Sequence, residues 1–341
     1  MIKLLYAYPL SDGSNAYELY RAFKNNKDIV TIPLFNISSE NNIYVNFGNS
    51  ILDRIMYKLK LPIDNLKLNK KLLTYDLTKI SILFTIKGNT IKPSTLRYIK
   101  NKYPNVTIIS WSLDDMYAWH NRSIYYTLGL KYYDLVITTK SYNVSELKSI
   151  GAKNVLFLYQ SFSKYLHKQY KCERSQYNVL FIGYFEKARY ESILYLVNNG
   201  IKVDVFGPAW GKYVNVHENL IIHNKILAGE NYSRALSCAK VSLCFLRKIN
   251  RDLHTSRSIE IPACKGFMIA ERTQEHLDLF EEDKEAVYFD NNEELLKKVQ
   301  YYLKHENIRK QISENGYKRC LSSGYSYDDK VVDILKEVEN L

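Results

Sequence analysis

Residues 251–271 read RDLHTSRSIEIPACKGFMIAE, and this stretch decides how the rest of the chain is interpreted. The pattern predicts a polar loop, a short helix that begins at Thr255 or Ser256, and a glycine turn into an apolar strand over 267–270. In α/β domains such a junction commonly holds an anion, because free N–H groups and the helix dipole meet there. We therefore expect a ligand site at this junction.

Arg257 and Glu260 are three residues apart, so the predicted helix carries them on one face. A cation for phosphate beside a carboxylate for ribose hydroxyls would suit a nucleotide. Ser256, at the start of the helix, is a further candidate for binding such a nucleotide. The alternative is an ordinary surface helix with an ion pair between Arg257 and Glu260.

Length and composition indicate a globular protein of two domains. The chain has 341 residues, of which 46% are hydrophobic and 25% are charged, so a sizeable core is available. No apolar run approaches the roughly 18–20 residues of a membrane-spanning helix. The first residues read as a buried strand and not as a signal peptide.

The cysteines are odd in number and contain no Cys-x-x-Cys pair. This spacing predicts free thiols in a reducing cytoplasm, with neither a zinc site nor a disulfide framework. We expect a cytoplasmic protein, and attachment to the inner face of a membrane stays open. The five cysteines are Cys172, Cys238, Cys244, Cys264 and Cys320.

The formal net charge of +12 favours a polyanionic partner, either nucleic acid or an anionic membrane. Genome composition is the alternative, because A/T-rich codons encode the abundant Lys, Asn, Ile and Tyr. The segment 51–75 carries five lysines and predicts a basic amphipathic helical pair interrupted at Pro62. Such a pair could contact anionic lipid or nucleic acid, line an acceptor groove, or simply face solvent.

The N-terminal half begins with a strand over 2–8, a turn that contains Gly13, and a helix over 17–25. A strand, a glycine-containing loop and a helix in this order resemble the start of a Rossmann-like domain, so Gly13 is a candidate for binding a nucleotide donor. Further buried strands follow, separated by helices. This half is predicted to be a parallel α/β domain.

Asp114 and Asp115 follow a buried strand over 106–111. Ligands gather at the carboxyl ends of strands in open α/β sheets, so these carboxylates are candidate catalytic groups. His120 is a second candidate base. The alternative is that Asp114 caps the next helix, with Asp115 in its first turn.

The second half repeats the α/β pattern after a polar linker. A strand over 178–183 ends at Gly183, and a helix with Lys187 and Arg189 follows. Gly183 and these two cations are candidates for binding an anionic ligand. We expect one domain over 1–165, a second domain over 166–327 and a terminal helix over 328–341.

The segment 255–264, TSRSIEIPAC, resembles the R-x-x-E-I-P-A-C-G segment of the CgeB-like (spore-maturation-type) glycosyltransferases. The resemblance covers most of the chain and is strongest over 178–327. It implies a GT-B fold, in which two Rossmann-like domains with parallel sheets face each other across a cleft. It also implies that the C-terminal domain (166–327) binds the sugar-nucleotide and that the N-terminal domain (1–165) lies on the acceptor side. In this fold the C-terminal helix can cross back to the first domain.

The resemblance also assigns roles to individual residues. Glu260 matches the second glutamate of the related Glu-x7-Glu glycosyltransferases, which binds the nucleotide ribose. Asp252 stands where those enzymes have their first, catalytic glutamate. Lys265 replaces a glycine of the family, and either adds a phosphate contact or marks a relaxed turn.

GT-B enzymes generally stabilise the leaving diphosphate with cations and helix N-termini instead of a metal. The sequence offers no Asp-x-Asp triplet. We therefore expect no metal and no cofactor, with a UDP- or GDP-sugar as donor substrate. Arg257, Arg189 and Lys187 are the cations expected at the diphosphate.

The sequence thus predicts a glycosyltransferase of the hexosyltransferase type that acts on a glycan, a protein or another acceptor hydroxyl. Two alternatives stay open. The acceptor could be a modified base in DNA, which the positive charge would favour, or the chain could be an inactive nucleotide-sugar-binding module. Similarity to the Glu-x7-Glu enzymes favours retention of the anomeric configuration only weakly.

Overall fold

The computed structural model describes residues 1–35, 37–38, 50–172 and 175–341. It divides into two compact units. Unit 1 comprises Met1–Tyr159 together with Tyr327–Leu341, and unit 2 comprises Gln160–Ser326. The predicted domain boundary after residue 165 therefore lies after Tyr159 in the structure, and the terminal helix belongs to unit 1.

Unit 1 contains a parallel sheet of six strands with order β3-β1-β5-β6-β7-β8 and a small pairing of β2 with β4. Its central strands are mostly apolar and mostly buried, as expected where helices cover both faces of a parallel sheet. The strands are β1 (Ile2–Tyr6), β2 (Leu10–Ser11), β3 (Ile29–Pro33), β4 (Ile37–Ser38), β5 (Ile82–Ile86), β6 (Thr107–Ser112), β7 (Leu135–Thr138) and β8 (Val155–Phe157).

The helices of unit 1 connect these parallel strands. After β1 the chain adds β3 on one side, then crosses to the other side of β1 to add β5. The strand order therefore reverses at the β1–β5 pair. The helices are α1 (Asn15–Asn25), α2 (Ile51–Lys58), α3 (Leu68–Thr74), α4 (Pro93–Lys102), α5 (Ile124–Gly129) and α6 (Asn143–Ser149).

Unit 2 repeats the architecture with the strand order β11-β10-β9-β12-β13-β14, again parallel throughout. Here the order reverses at the β9–β12 pair. The strands are β9 (Tyr177–Ile182), β10 (Val203–Phe206), β11 (Leu220–Ile222), β12 (Ala239–Cys244), β13 (Met268–Glu271) and β14 (Val287–Phe289). The helices are α7 (Lys187–Asn198), α8 (Gly229–Cys238), α9 (Ser256–Ala263), α10 (Gln274–Leu279), α11 (Asn292–Lys304) and α12 (Glu306–Ser322).

The last helix, α13 (Tyr327–Glu339), packs on α1 within unit 1. Val331 and Ile334 are fully buried in one apolar cluster with Leu19 and Phe23 of α1. The helix follows unit 2 in sequence but completes the core of unit 1. This is the return of the terminal helix that the GT-B resemblance allows.

Helices occupy only part of the basic segment 51–75. The helices α2 and α3 are separated by residues 59–67, in which Lys60 and Lys67 adopt left-handed backbone conformations. None of the side chains of α2 is buried. The expectation of a helical pair on either side of Pro62 is met, and contact of this segment with lipid or nucleic acid stays a prediction.

The region after β6 differs from expectation. The next helix, α5, begins at Ile124, and the hydroxyl of Ser123 accepts the N–H of Tyr126 as its cap. Asp114 and Asp115 therefore cap no helix, and His120 lies in a loop. Asp115 instead closes a turn, since its carboxylate accepts the N–H groups of two residues that follow it.

Cys172 and Cys238 form a disulfide, with their Cα atoms 5.6 Å apart. The expectation that all five cysteines are free thiols is therefore wrong for this pair. The two residues are separated by 66 positions in sequence, so no local pattern could reveal the pairing. The other three cysteines are buried free thiols. In the described residues, no helix combines the length and apolar character needed to cross a membrane.

The packing of α13 yields a test. Ile334→Ala removes a buried side chain and should lower the free energy of unfolding by ~2–4 kcal/mol. Val332→Ala, at an exposed position of the same helix, should change it by less than ~0.5 kcal/mol. Urea unfolding followed by circular dichroism measures both. Equal effects of the two substitutions would contradict the packing of α13 on unit 1.

Candidate functional site

The candidate site of unit 2 lies where its strand order reverses. The loop after β9 and the loop after β12 emerge side by side at the carboxyl edge of the sheet, because β9 and β12 are paired. In open α/β sheets a ligand binds in the crevice at such a reversal. Gly183 directly follows β9, and its carbonyl accepts the indole N–H of Trp210 at 2.9 Å.

Glycine is required where β10 ends beside β9. Gly207 has φ of +136°, and a Cβ atom there would lie 2.1 Å from the carbonyl oxygen of Gly183. Only glycine allows this close approach of the two strand ends. The edge that carries the candidate site is therefore fixed by backbone geometry.

Arg189 holds the two loops together. Its side chain is buried, with 2% of the residue exposed, and its guanidinium donates to the carbonyl oxygens of Tyr184, Phe245 and Leu246 at 3.0–3.2 Å. Burial, together with the nearby Arg257 and Arg247, lowers the pKa of Arg189 to about 10, and Glu186 opposes this effect. Three of its five N–H donors serve the backbone, which favours a positioning role over direct contact with a diphosphate.

Arg257 lies in the first turn of α9 and has a different environment. Its Cζ atom lies 6.0 Å from the centroid of Phe181, whose ring also has Arg189 Cζ at 5.7 Å. The Nε atom of Arg257 is buried and has no hydrogen-bond acceptor. A buried donor without an acceptor costs about 1–3 kcal/mol, and more when it is charged.

The ion pair between Arg257 and Glu260, which was the alternative interpretation of this helix, is not formed. Within the described part of the chain, Arg257 has no carboxylate at ion-pair distance, and Glu260 instead accepts a hydrogen bond from Tyr232 at 2.6 Å. The interpretation of α9 as an ordinary ion-paired surface helix is therefore wrong. Arg257 in the first turn of α9 and Arg189 in the first turn of α7 lie against the same Phe181 ring, and neighbouring guanidinium groups beside a helix N-terminus favour binding of an anion.

Glu260 is itself almost buried, with 7% of the residue exposed. Its Oε2 atom accepts from Tyr232, and its Oε1 atom lies 3.8 Å from Nε2 of His167. Burial lowers the pKa of His167, against the opposing effect of Glu260, so the ring is neutral near pH 7. Oε1 is the atom that a ligand hydroxyl could reach.

The N-terminus of α9 is held by side chains. The Ser258 hydroxyl accepts the N–H of Thr255 at 2.9 Å and contacts Nε2 of His276 at 2.7 Å. The Ser256 hydroxyl donates to the side-chain oxygen of Gln160. Nε2 of His254 accepts the backbone N–H of Gln160 at 2.9 Å, so the loop before α9 is anchored as well.

Other predicted residues of unit 2 lie in less decisive positions. Asp252 is buried and accepts from the side chain of Asn250 at 2.8 Å. Lys187 begins α7 with its side chain 86% exposed and pairs with Glu191 at 3.6 Å. Lys265 pairs with Glu314 and has a left-handed backbone. The catalytic role of Asp252 and the donor contact of Lys187 stay predictions.

The candidate residues of unit 1 separate into two kinds. Asp115 is fully buried, and its carboxylate accepts from two backbone N–H groups and from Asn143 at 2.9 Å. This environment is typical of a carboxylate that holds a loop in place. Asp114 is partly exposed and forms an ion pair with Lys87. Burial lowers the pKa of Lys87, but the Asp114 carboxylate outweighs this effect and the pKa is raised overall.

His120 and Gly13 complete the predicted set. His120 is exposed in the loop before α5. Gly13 is exposed in the turn before α1, with φ of +75°, and the adjacent Ser14 caps that helix. The geometry gives neither residue a defined chemical task, and their assigned roles stay predictions.

The sequence did not reveal Tyr232, His167 or the ion pair that links the two loops of unit 2. In that pair, Nε of Arg247 lies 2.9 Å from the carboxylate of Glu186. No local motif marks these residues, because each acts through a partner far away in sequence. Among the described residues, no group of three or more His, Cys, Asp or Glu side chains could hold a metal ion.

Comparisons with known proteins agree with the architecture. A family model described as glycosyl transferase-like matches residues 189–336, which is less than half of the chain. No curated protein sequence gives a match. Two full-length structural likenesses are sucrose-phosphate synthase from Thermosynechococcus elongatus (TM-score 0.68, 10% identity) and Anabaena HepE in complex with UDP and glucose (TM-score 0.64, 12% identity), each covering 100% of both chains.

A third solved structure is the N-terminal domain of Candida albicans trehalose-6-phosphate phosphatase, with a TM-score of 0.63 and 12% identity over 98% of this chain and 96% of that one. Identities this low establish the fold alone. The predicted GT-B fold, with two Rossmann-like units of parallel sheet, is confirmed. Membership in the CgeB-like family stays a prediction.

Arg189 gives a first test of this site. Arg189→Met keeps the apolar stem but leaves three carbonyl oxygens without their donors, and should destabilise unit 2 by ~2–4 kcal/mol. Lys187→Met, at an exposed position of the same helix, should cost less than ~0.5 kcal/mol. Urea unfolding compares the two variants. A stable Arg189→Met protein would show that Arg189 does not hold the loops.

His276 gives a second test through pH. Burial lowers the pKa of His276 to about 4, and the carbonyl of Glu271 opposes this only in part. The unfolded chain then binds more protons than the folded one between pH 6.5 and 4, so stability is full above that window and falls with pH across it, by ~3 kcal/mol in total.

The measurement is the free energy of unfolding as a function of pH for three proteins. His276→Gln should flatten the slope between pH 6.5 and 4, whereas His305→Gln, at an exposed position, should leave it unchanged. A slope that survives His276→Gln intact would assign it to other groups.

Proposed function

We propose that the chain is a metal-independent glycosyltransferase that takes a hexose from a UDP- or GDP-sugar and transfers it to an acceptor hydroxyl. The observation that carries the proposal is the buried Nε of Arg257, which lies at the start of α9, lacks an acceptor and has the guanidinium of Arg189, from α7, near the same Phe181 ring. A diphosphate supplies the missing acceptors and neutralises the like charges.

Unit 2 supplies the groups that donor binding needs. Arg257 and the N–H groups at the start of α9 would bind the diphosphate, and Oε1 of Glu260 would accept a ribose hydroxyl. Arg189 would keep the two loops in place. Tyr232 leaves Glu260 with one oxygen for a ligand, which fixes the direction of that contact.

The departing diphosphate gains negative charge as the sugar–phosphate bond breaks. Arg257 and the helix dipole would stabilise this charge without reorganising, which is how preorganised sites lower a barrier. In unit 1, Asp114 would serve as the base toward the acceptor hydroxyl, because its carboxylate is partly exposed and is oriented by the ion pair with Lys87. Asp115 is buried and its carboxylate accepts three hydrogen bonds, so this residue would position the loop.

The comparisons support the same proposal at a coarser level. The glycosyl transferase-like family model spans α7 to α13, which includes Arg189, Arg257 and Glu260. The solved structures include HepE with UDP-glucose and HepE with UDP. The resemblance to the CgeB-like family is part of the proposal, and a glycan or a protein is the favoured acceptor.

Titration calorimetry with UDP, GDP and their sugar derivatives tests donor binding. We expect one nucleotide to bind, and Arg257→Gln to weaken its binding about 10- to 100-fold, as for a lost hydrogen bond to a charged group. Arg234→Gln removes an exposed cation of the same unit, paired with Glu230, and should leave binding unchanged.

Hydrolysis of the bound sugar-nucleotide, followed by chromatography, tests turnover. Slow release of free sugar by the wild type supports an enzyme, whereas binding without turnover under every acceptor identifies an inactive binding module. If no nucleotide binds, the proposed function is wrong. Added EDTA should leave turnover unchanged, and its loss would contradict metal independence.

A further inference from the structure

Unit 1 has a cavity of its own at the point where its strand order reverses. Tyr8 follows β1 and Lys87 follows β5, and both line a cavity of about 160 Å³. Lys87 and Gly88 have left-handed backbone conformations, with φ of +58° and +83°, so the chain turns directly after β5. By the rule for open α/β sheets, this reversal is a place for a ligand.

One side of the cavity is apolar. Tyr8, Pro9, Pro62, Ile63 and Leu66 contribute to its lining. A cavity of about 150 Å³ with an apolar lining accommodates a molecule the size of benzene. The space therefore fits a ring-sized organic group.

The other side is cationic, and its charge is not balanced. Lys60 and Arg122 line the cavity, and no carboxylate of the described residues lies at ion-pair distance from either. The Nε atom of Arg122 is buried without an acceptor. The acidic group in the lining, Asp64, is occupied elsewhere, since it accepts from Leu68 and Asn69 at 2.7–2.8 Å.

The two cations are held in place before any ligand binds. Nζ of Lys60 donates to the carbonyl oxygen of His120 at 3.2 Å, and Nη1 of Arg122 donates to that of Tyr117. Both cations also lie over the ring of Trp119, at 6.0 and 5.6 Å from its centroid. Trp119 is 55% exposed, so its fluorescence can report on the cavity.

We propose that this cavity binds a compact organic anion, in which a phosphate or carboxylate contacts Arg122 and Lys60 and a ring-sized group fills the apolar side. Binding of the anion requires no donor nucleotide. The further statement, that this anion is the acceptor or a part of it, rests on the proposed function.

Phenyl phosphate is the probe, and titration calorimetry with Trp119 fluorescence is the measurement. Phenyl phosphate should bind about tenfold or more tightly than neutral phenol, as expected when a charged group gains hydrogen bonds. Benzoate distinguishes a carboxylate from a phosphate, and inorganic phosphate shows how much the ring contributes. The fluorescence response should be absent in Trp119→Phe.

Arg122→Gln and Lys60→Gln should each weaken binding of phenyl phosphate about tenfold. Lys70→Gln removes an exposed cation of α3 outside the cavity and should leave binding unchanged. If Arg122→Gln fails to fold, Lys60→Gln decides. Equal affinity for phenol and phenyl phosphate, or wild-type affinity in the Lys60→Gln protein, would overturn the proposal.

The same samples separate this proposal from the proposed function. Phenyl phosphate that binds while no sugar-nucleotide does would support the cavity and contradict the glycosyltransferase. A sugar-nucleotide that binds while phenyl phosphate does not would support the glycosyltransferase and contradict the cavity. Phenyl phosphate that competes with UDP and responds to Arg257→Gln would place the anion in unit 2 and overturn the cavity.

Discussion

The candidate site of unit 2 depends on one constraint, which is that a buried guanidinium must have acceptors. Arg189 meets this constraint with three carbonyl oxygens from the two loops that flank the strand-order reversal. Its neighbour Arg257 does not, because the carboxylate closest to it in the helix pairs with Tyr232. The fold therefore uses one cation to shape the edge of the sheet and leaves the other for a ligand. An anion is expected at this edge because it would supply the acceptor that Arg257 lacks.

Both units place a candidate ligand site where the strand order of the sheet reverses, but the side chains around the two sites differ. In each unit the strand order reverses once within the sheet, and an arginine whose Nε is buried without an acceptor belongs to the candidate site there. Arg257 lies at the start of α9, which follows β12, and Arg122 lies in the loop after β6 and lines the cavity at the β1–β5 reversal. In unit 2 the surroundings of Arg257 are a helix N-terminus and a carboxylate, which suit a nucleoside diphosphate. In unit 1 the surroundings of Arg122 are apolar side chains and a lysine, which suit a smaller organic anion.

The fold was predictable because most of the parallel strands are short apolar runs, such as 178–183, followed by a turn and a helix. Arg257 and Glu260 were identifiable because their spacing on a helix is a local property. The partners that define their roles were not, since Tyr232 and His167 reach Glu260 from distant segments. The alternative of an ion pair in α9 was wrong because Glu260 bonds to Tyr232 from a distant segment. The alternative of a cap by Asp114 was wrong because the next helix begins only at Ile124. The disulfide between Cys172 and Cys238 lay equally beyond any local pattern.

The most direct test of the central claim is a crystal structure of the protein grown with UDP or GDP, whichever binds. The account predicts diphosphate density at the N-terminus of α9, with a phosphate oxygen at hydrogen-bond distance from Arg257 and a ribose hydroxyl at Oε1 of Glu260. Arg189 should keep its three carbonyl partners in that structure. Diphosphate density at any other place, with Nε of Arg257 still lacking an acceptor, would contradict the account.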